Sequence, residues 1–207
     1  MRTRSKLLLA AISAPALLGL AIGTASARNL EISNSANGFR ITWNPLRIEF
    51  SGREARCPVT FEGTFERSSI VKSPSSRVGR VIGAAVGTCT RNTATFLRET
   101  LPWELDYNSF TGTLPSIASV SLNLIRASFS ANLEGIECLA QSRSDQPWSG
   151  IITAEANGTF TGFRTDESRS IETSGGFFCI TSRARASGDA STITSRGGTT
   201  AITVRLI

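Results

Sequence analysis

Apolar and polar residues alternate along most of the chain after residue 27, and turn-forming residues recur about every ten positions. In the stretch FRITW, for example, Phe39, Ile41 and Trp43 point to one face and polar residues lie between them. A period of two is typical of strands with one buried face, and short strands separated by frequent turns are typical of antiparallel all-β domains. The pattern therefore predicts a single all-β domain over residues 28–207, an antiparallel β-sandwich or flattened β-barrel.

The alternation is interrupted at Asn44-Pro45, and the apolar positions of the following stretch LRIEF are shifted by one residue. We expect a turn here that folds the two halves into a hairpin. A tight turn would place Arg40 opposite Glu49 on the solvent face, a cross-strand pair worth less than about 1 kcal/mol. Because proline does not suit the usual two-residue hairpin turns, we expect a wider connection or a cis peptide bond.

Two further stretches predict strands. In CPVTFEGTFE, Cys57, Val59 and Phe61 share an apolar face, which fits a buried disulfide. In RVGRVIGAAVGTC, glycines recur at positions 79, 83 and 87, a spacing that suits either a helix packing face or one face of a strand. Because each interior glycine costs a helix about 1 kcal/mol relative to alanine, we favour a strand.

Alternation also marks the remaining strand candidates, and no segment requires a helix longer than about one turn. The candidates are SIASVSLNLIRASFSANL, GIECLAQS, SGIITAEANGTFTGF, SIETSGGFFCITSRA and TTAITVRLI. Loops are expected at 73–76, at DQPWSG and at TDESRS, and Asn157-Gly158 is expected to form a turn.

The stretch LPWELDYNSFTGTLP, residues 101–115, holds the side chains that most resemble a functional site. As a strand it places Trp103 and Tyr107 on one face and Glu104 and Asp106 on the other. Residues two apart on a strand are separated by about 6.6 Å, near the carboxylate spacings of glycosidases. A glycosidase also needs aromatic platforms around its acids, and here the aromatic residues face away. We therefore interpret the acids as solvated, and keep Glu104 and Asp106 as candidate catalytic residues.

The first 27 residues have the pattern of a signal peptide. A basic start, MRTRSK, precedes a mostly apolar run over residues 7–23, and Ala25-Ser26-Ala27 matches the small-residue pattern of a cleavage site. The run is short for a spanning helix of about 20 apolar residues. We expect a Sec-type signal, cleavage after Ala27, and a mature protein that is secreted or cell-wall associated without stable membrane insertion.

Removal of the signal peptide lowers the formal net charge from +6 to +3, because three basic residues leave with it. This excess is too small to predict nucleic-acid binding. Two arginine pairs, Arg77 with Arg80 and Arg183 with Arg185, are candidates for holding an acidic cell-wall polymer. The commoner alternative is that scattered arginines on strands cover a solvent-exposed face.

The cysteines Cys57, Cys89, Cys138 and Cys179 all lie in the mature part of the chain. An even number in an exported protein favours disulfides. Of the three possible connectivities we expect Cys57–Cys89 and Cys138–Cys179, because sequential pairing braces each half separately. The chain has no CxxC spacing and no histidine, so we expect no metal site and no cofactor, and histidine-dependent nucleophilic catalysis is excluded.

The succession of CPVTFEGTF, Cys89, LPWELDYNSFTGTLP and Cys138 resembles a group of uncharacterised exported actinobacterial proteins. They share a signal segment, paired cysteines and an LPW…Y…FTGTLP phrase. The likeness covers roughly residues 57–140. It implies export and a high-GC Gram-positive source, and it carries no catalytic assignment to transfer.

These observations favour an exported, non-enzymatic extracellular or cell-envelope protein that binds a polymer or a protein partner. One alternative is a carboxylate-based glycoside hydrolase that uses Glu104 and Asp106. The other is a small-molecule-binding or protease-inhibitor β-barrel, which requires either an apolar cavity or an exposed, disulfide-braced loop.

Overall fold

The computed structural model describes residues 29–33, 37–113, 116–165, 171–175, 179, 183–198 and 200–207. The expected signal peptide, residues 1–27, lies outside these ranges, as does most of the expected loop TDESRS. The regular elements whose bounds lie within these ranges are strands and one 3-10 helix, η1 (Arg98–Thr100). The strands pair antiparallel, which confirms the prediction of an antiparallel all-β fold. No helix in the described ranges is long and apolar enough to cross a membrane.

The strands are numbered in the order in which they occur along the chain. The strands are β1 (Asn29–Ser33), β2 (Gly38–Phe50), β3 (Arg53–Phe65), β4 (Ser69–Val71), β5 (Arg77–Val86), β6 (Thr93–Phe96), β7 (Trp103–Thr111), β8 (Ser119–Ile125), β9 (Ser128–Leu133), β10 (Ile136–Gln141), β11 (Trp148–Ala154), β12 (Phe160–Thr165), β13 (Glu172–Gly175), β14 (Ala184–Ser187), β15 (Ala190–Ser195) and β16 (Thr203–Leu206).

The largest sheet has nine strands and curls into a nearly closed barrel. Its neighbours run β12-β11-β8-β7-β5-β3-β2, and the free edge of β2 is taken by β15 along its first half and by β14 along its second half. A single bridge between Arg164 and Asp189 brings the two ends of this sheet together. Closing a sheet in this way covers edges that would otherwise expose unpaired backbone groups.

Two smaller sheets complete the core. A three-stranded sheet, β16-β1-β4, contributes buried Leu30 and Val204 to the same core as the barrel residues. A four-stranded sheet, β13-β10-β9-β6, contributes Phe96 and Phe129. The ring of Phe96 lies 5.0 Å from that of Phe61 on β3, so the four-stranded sheet and the barrel share one aromatic core. The molecule thus combines both architectures that the sequence left open.

The prediction of a hairpin at Asn44-Pro45 is wrong. Strand β2 continues through this dipeptide, whose peptide bond is cis, and the pairing with β3 shifts there by one residue. Such a β-bulge adds one residue to one strand and so reverses which side chains face inward. The bulge keeps Leu46 on the same buried side as Trp43. As a result Arg40 lies opposite Glu62 on β3, not opposite Glu49.

The glycine-rich stretch RVGRVIGAAVGTC forms β5, which confirms the prediction of a strand. Glycine is needed where backbones approach closely. A Cβ atom on Gly79 would lie 2.3 Å from the Thr64 carbonyl oxygen, and one on Gly63 would lie 2.1 Å from the Phe39 ring. No side chain fits either position.

One predicted strand is divided between two sheets. SIASVSLNLIRASFSANL forms β8 in the barrel and β9 in the four-stranded sheet, with Arg126 between them at a φ of +69°. The expected disulfides Cys57–Cys89 and Cys138–Cys179 are both present. They indicate that the protein folds in an oxidising compartment.

Candidate functional site

The two candidate carboxylates lie on the outer face of the barrel, on β7 between β5 and β8. The aromatic residues beside them point inward, with Trp103 fully buried and Tyr107 3% exposed. This division of faces follows the alternation in the sequence. Glu104 and Asp106 therefore share a face with residues of β5, and their surroundings depend on that neighbouring strand.

Three carboxylates on this face lie around the guanidinium group of Arg77, and we call these four residues the Arg77 cluster. Arg77 on β5 donates from Nη2 to Glu104 Oε2 (2.5 Å) and from Nε to Asp106 Oδ1 (3.1 Å). Its Nη1 lies 4.0 Å from Glu66 Oε1. Arg77 is the direct cross-strand partner of Asp106, so the β5–β7 register creates the cluster.

Asp106 is more enclosed than we expected from the sequence. The residue is only 7% exposed, so the expectation of a solvated acid is wrong for Asp106. Burial raises the pKa of Asp106 above its usual value of 3.8, the hydrogen bond and charge of Arg77 oppose this shift, and the carboxylates of Glu104 and Glu66 add to it. Burial of a carboxylate disfavours its charged form, whereas a nearby cation favours it.

Glu104 faces a polar groove of about 470 Å³. Arg126 Nη1 lies 3.6 Å from Glu104 Oε1 on the side away from Arg77. The groove is also lined by Arg80, Glu99 and Gln141 and has no aromatic side chain among its described lining residues. Both oxygens of Glu104 are therefore near arginines, which is the environment of a structural ion pair.

A second charged cluster, around Glu54, was not anticipated from the sequence. Glu54 is 5% exposed although it lies on the outer face of β3. Its Oε1 accepts from Arg56 Nε at 2.8 Å and from Arg91 Nη1 at 3.4 Å, and its Oε2 contacts Arg47 Nε. The β2–β3 register opposes Arg47 and Arg56. Only that register could have indicated this cluster, and no local pattern of the sequence reveals it.

The two arginine pairs considered from the sequence have different environments. Arg77 and Arg80 are neutralised by carboxylates, since Arg80 Nε lies 3.3 Å from Glu66 Oε1. Arg183 and Arg185 are exposed, and neither forms an ion pair with a described carboxylate. Arg185 lies on β14 next to β2, close to the Glu54 cluster.

The interior of the barrel leaves little space for a ligand. An apolar cavity of about 30 Å³ lies among residues such as Trp43, Phe61, Trp148 and Phe163. A cavity of this size holds roughly one water molecule, whereas small-molecule sites enclose about 300 Å³ or more. Aromatic side chains fill the remaining volume, for example Trp43 against Phe163 at 5.3 Å.

In the described part of the chain, no three Cys, Asp or Glu side chains are grouped so that they could hold a metal ion. Comparisons with protein-family models, with curated proteins and with solved structures find no match for this chain. The functional assignment therefore depends on the geometry of the two charged clusters.

Proposed function

We propose that this chain is an exported, non-enzymatic binding protein of the extracellular space or cell envelope, delivered by a Sec-type signal peptide. The observation that carries the proposal is the occupation of both candidate catalytic carboxylates by Arg77. A general acid or a nucleophile must be free to meet the substrate. Here Asp106 is enclosed beneath a guanidinium group, and Glu104 lies between two of them.

The filled barrel argues against a small-molecule carrier, because its cavity of about 30 Å³ is far below ligand size. A protease inhibitor needs a braced loop that projects into solvent. The segment next to Cys89 lies along β3 instead, since Thr90 N donates to Arg56 O at 2.8 Å and Gly87 N donates to Pro58 O at 2.8 Å. Among the binding functions, the remaining candidate is recognition of a polymer or a protein by the outer surface of the sheets.

A carboxylate glycosidase is the second candidate, and two observations favour it. Glu104 lines a groove, and the raised pKa of neighbouring Asp106 would suit a proton donor. The two functions make opposite predictions for Glu104→Gln, which removes the only groove-facing carboxylate of the pair.

The test is incubation of the purified mature protein with cell-wall and plant polysaccharides, with release of reducing ends as the readout. We expect no release above a buffer blank, together with co-sedimentation of the protein with isolated cell-wall material. Hydrolysis that Glu104→Gln abolishes, at an unchanged melting temperature, would overturn the proposed function in favour of the glycosidase.

A further inference from the structure

Three arginines lie side by side on the outer face of the large sheet, and we call them the arginine row. Arg47 on β2 is the cross-strand neighbour of Arg56 on β3, and the backbone of Arg56 forms an isolated β-bridge with that of Arg91. Neighbouring strands are about 4.8 Å apart, so the row spans roughly 10 Å. Like charges directly opposite each other destabilise a sheet. The arrangement therefore opposes folding unless other groups offset it.

Glu54 supplies part of that offset and orients the row. The carboxylate of Glu54 forms ion pairs with Arg56, Arg91 and Arg47, whose side chains remain 49%, 59% and 46% exposed. Within the described residues, Nη1 of Arg47, Nη1 of Arg56 and Nη2 of Arg91 have no carboxylate partner. Arg47 is also held by Glu49, whose Oε2 accepts from Arg47 Nη2 at 3.0 Å. Each guanidinium thus has some nitrogens paired with a carboxylate and at least one nitrogen without such a partner.

Two more arginines extend the positive charge along the sheet edge. Arg185 on β14 lies opposite Glu49 of β2, and Arg183 immediately precedes β14. Neither is ion-paired with a described carboxylate. Together with the arginine row they give this area five positive charges, which the two negative charges of Glu49 and Glu54 balance only in part. We call this larger area the arginine face.

The backbone holds this face in a fixed shape. The disulfide Cys57–Cys89 joins the segments that carry Arg56 and Arg91, with its Cα atoms 4.0 Å apart. Arg56 N also donates to Arg91 O at 3.1 Å. A rigid arrangement of cations loses little conformational entropy when a ligand binds.

We propose that the arginine face binds a linear polymer that carries regularly spaced carboxylate or phosphate groups. This inference deepens the proposed function and rests on it. Guanidinium groups bind carboxylate and phosphate through paired N–H donors. An open sheet surface that extends over neighbouring strands contacts several anionic groups of one polymer, whereas a single small anion reaches only one or two arginines. The described residues of the face include no aromatic side chain for stacking nucleic-acid bases.

The experiment measures binding of fluorescently labelled polygalacturonate and polyphosphate to the mature protein by anisotropy. Arg183→Gln/Arg185→Gln is the test variant, because neither arginine takes part in an ion pair with a described residue. We expect salt-sensitive binding of at least one polymer, weakened about fivefold to tenfold in this variant. Arg91→Gln, which removes one member of the arginine row, is expected to weaken binding as well.

Arg67→Gln/Arg98→Gln is the matched control. Like the test variant, it removes two positive charges from exposed arginines that lack ion pairs with described residues. We expect less than a twofold effect on binding, and melting temperatures like that of the parent protein in all three variants. The two polymers distinguish carboxylate from phosphate recognition.

Equal losses in the test and control variants would overturn the inference, as would binding of neither polymer or tighter binding of duplex DNA. If Arg183→Gln/Arg185→Gln leaves co-sedimentation with cell-wall material intact, the inference fails and the proposed function stands. Hydrolysis of a polymer would instead remove the proposed function itself.

Discussion

The two charged clusters on the outer face of the large sheet are opposites in composition. In the Arg77 cluster one guanidinium group lies among three carboxylates, those of Glu66, Glu104 and Asp106. In the Glu54 cluster one carboxylate lies among three guanidinium groups. Both arise from cross-strand registers, and both have a nearly buried acid.

The difference lies in what remains available to a ligand. The three carboxylates of the Arg77 cluster are paired with Arg77 and also with Arg80 and Arg126, so the acids that looked catalytic in the sequence serve to join β5 to β7. The Glu54 cluster leaves guanidinium nitrogens open to solvent, and Arg183 and Arg185 add to its positive charge. Exposure of unbalanced charge, rather than the presence of paired carboxylates, therefore identifies the better candidate surface.

The largest expected effect comes from the disulfides. Cys57–Cys89 and Cys138–Cys179 close loops with sequence separations of 32 and 41 residues. By loop entropy, removal of either by paired alanine substitution should lower the free energy of unfolding by about 3–4 kcal/mol, measured by urea denaturation. Only Cys57→Ala/Cys89→Ala should also weaken binding of the anionic polymer, because that bridge supports the arginine face.

Matched stability losses make the disulfide pair a clean comparison. Cys138–Cys179 joins β10 to a distant segment and does not touch the arginine row. If both variants, while still folded, lose polymer binding equally, the bridge at Cys57 has no special role in shaping the arginine face.

A smaller effect is expected from removing the central residue of each cluster. Arg77→Gln leaves Asp106 enclosed beside two other carboxylates and should destabilise the protein by about 2 kcal/mol. Glu54→Gln should cost about 1 kcal/mol, since the arginines around Glu54 are roughly half exposed and can be hydrated. Thermal unfolding at neutral pH measures both.

The double variant Arg77→Gln/Asp106→Asn is the control for this prediction. Removal of the charge on Asp106 eliminates the enclosed, uncompensated carboxylate, so much of the stability should return. A double variant as unstable as Arg77→Gln would contradict the role assigned to the ion pair and point to lost packing of the arginine stem.

The smallest expected effect is a difference in pH dependence between two carboxylates. Burial raises the pKa of Asp106 above 3.8, whereas the hydrogen bond from Arg40 lowers the pKa of Glu62 below 4.5, with help from Arg196. Asp106 therefore contributes stability below pH 3.8 that is lost as the pH rises through its folded pKa. Glu62 contributes stability above pH 4.5 that is lost as the pH falls through its folded pKa.

Urea denaturation between about pH 3 and pH 7 checks the two signs. As the pH rises, the stability of the parent protein should fall relative to Asp106→Asn and increase relative to Glu62→Gln. Each change should be below about 1 kcal/mol. The same sign for both variants would mean that Arg77 outweighs burial at Asp106.

Local patterns of the sequence were sufficient for much of the fold. The alternation in CPVTFEGTFE and RVGRVIGAAVGTC predicted β3 and β5, and the cysteine order predicted both disulfides. The inward orientation of Trp103 and Tyr107 was also predictable. The strands and the orientation of their side chains depend on the two-residue period, which a single sequence displays directly. The disulfide pairing was one of three possible connectivities, favoured because sequential pairing braces each half separately.

The break at Asn44-Pro45 shows where such reasoning stops. A shift of one position in the apolar pattern is compatible with a turn or with a bulge. With a turn, the residues after Asn44-Pro45 would pair with those before it, whereas with a bulge both halves pair with β3. The bulge gave β2 its full length and placed Arg47 against Arg56. The arginine face could not be predicted because it depends on this register.

The two-residue period of the sequence was enough to predict the strand character of the chain and the faces of those strands, and sequential pairing was the favoured one of three possible cysteine connectivities. Tertiary structure decided the partners of the charged residues. It enclosed Glu104 and Asp106 with Arg77 and gathered Arg47, Arg56 and Arg91 around Glu54. The physical reason is that electrostatic environment depends on distances of a few ångströms between neighbouring strands, and those distances are set by register and curvature of the folded sheet.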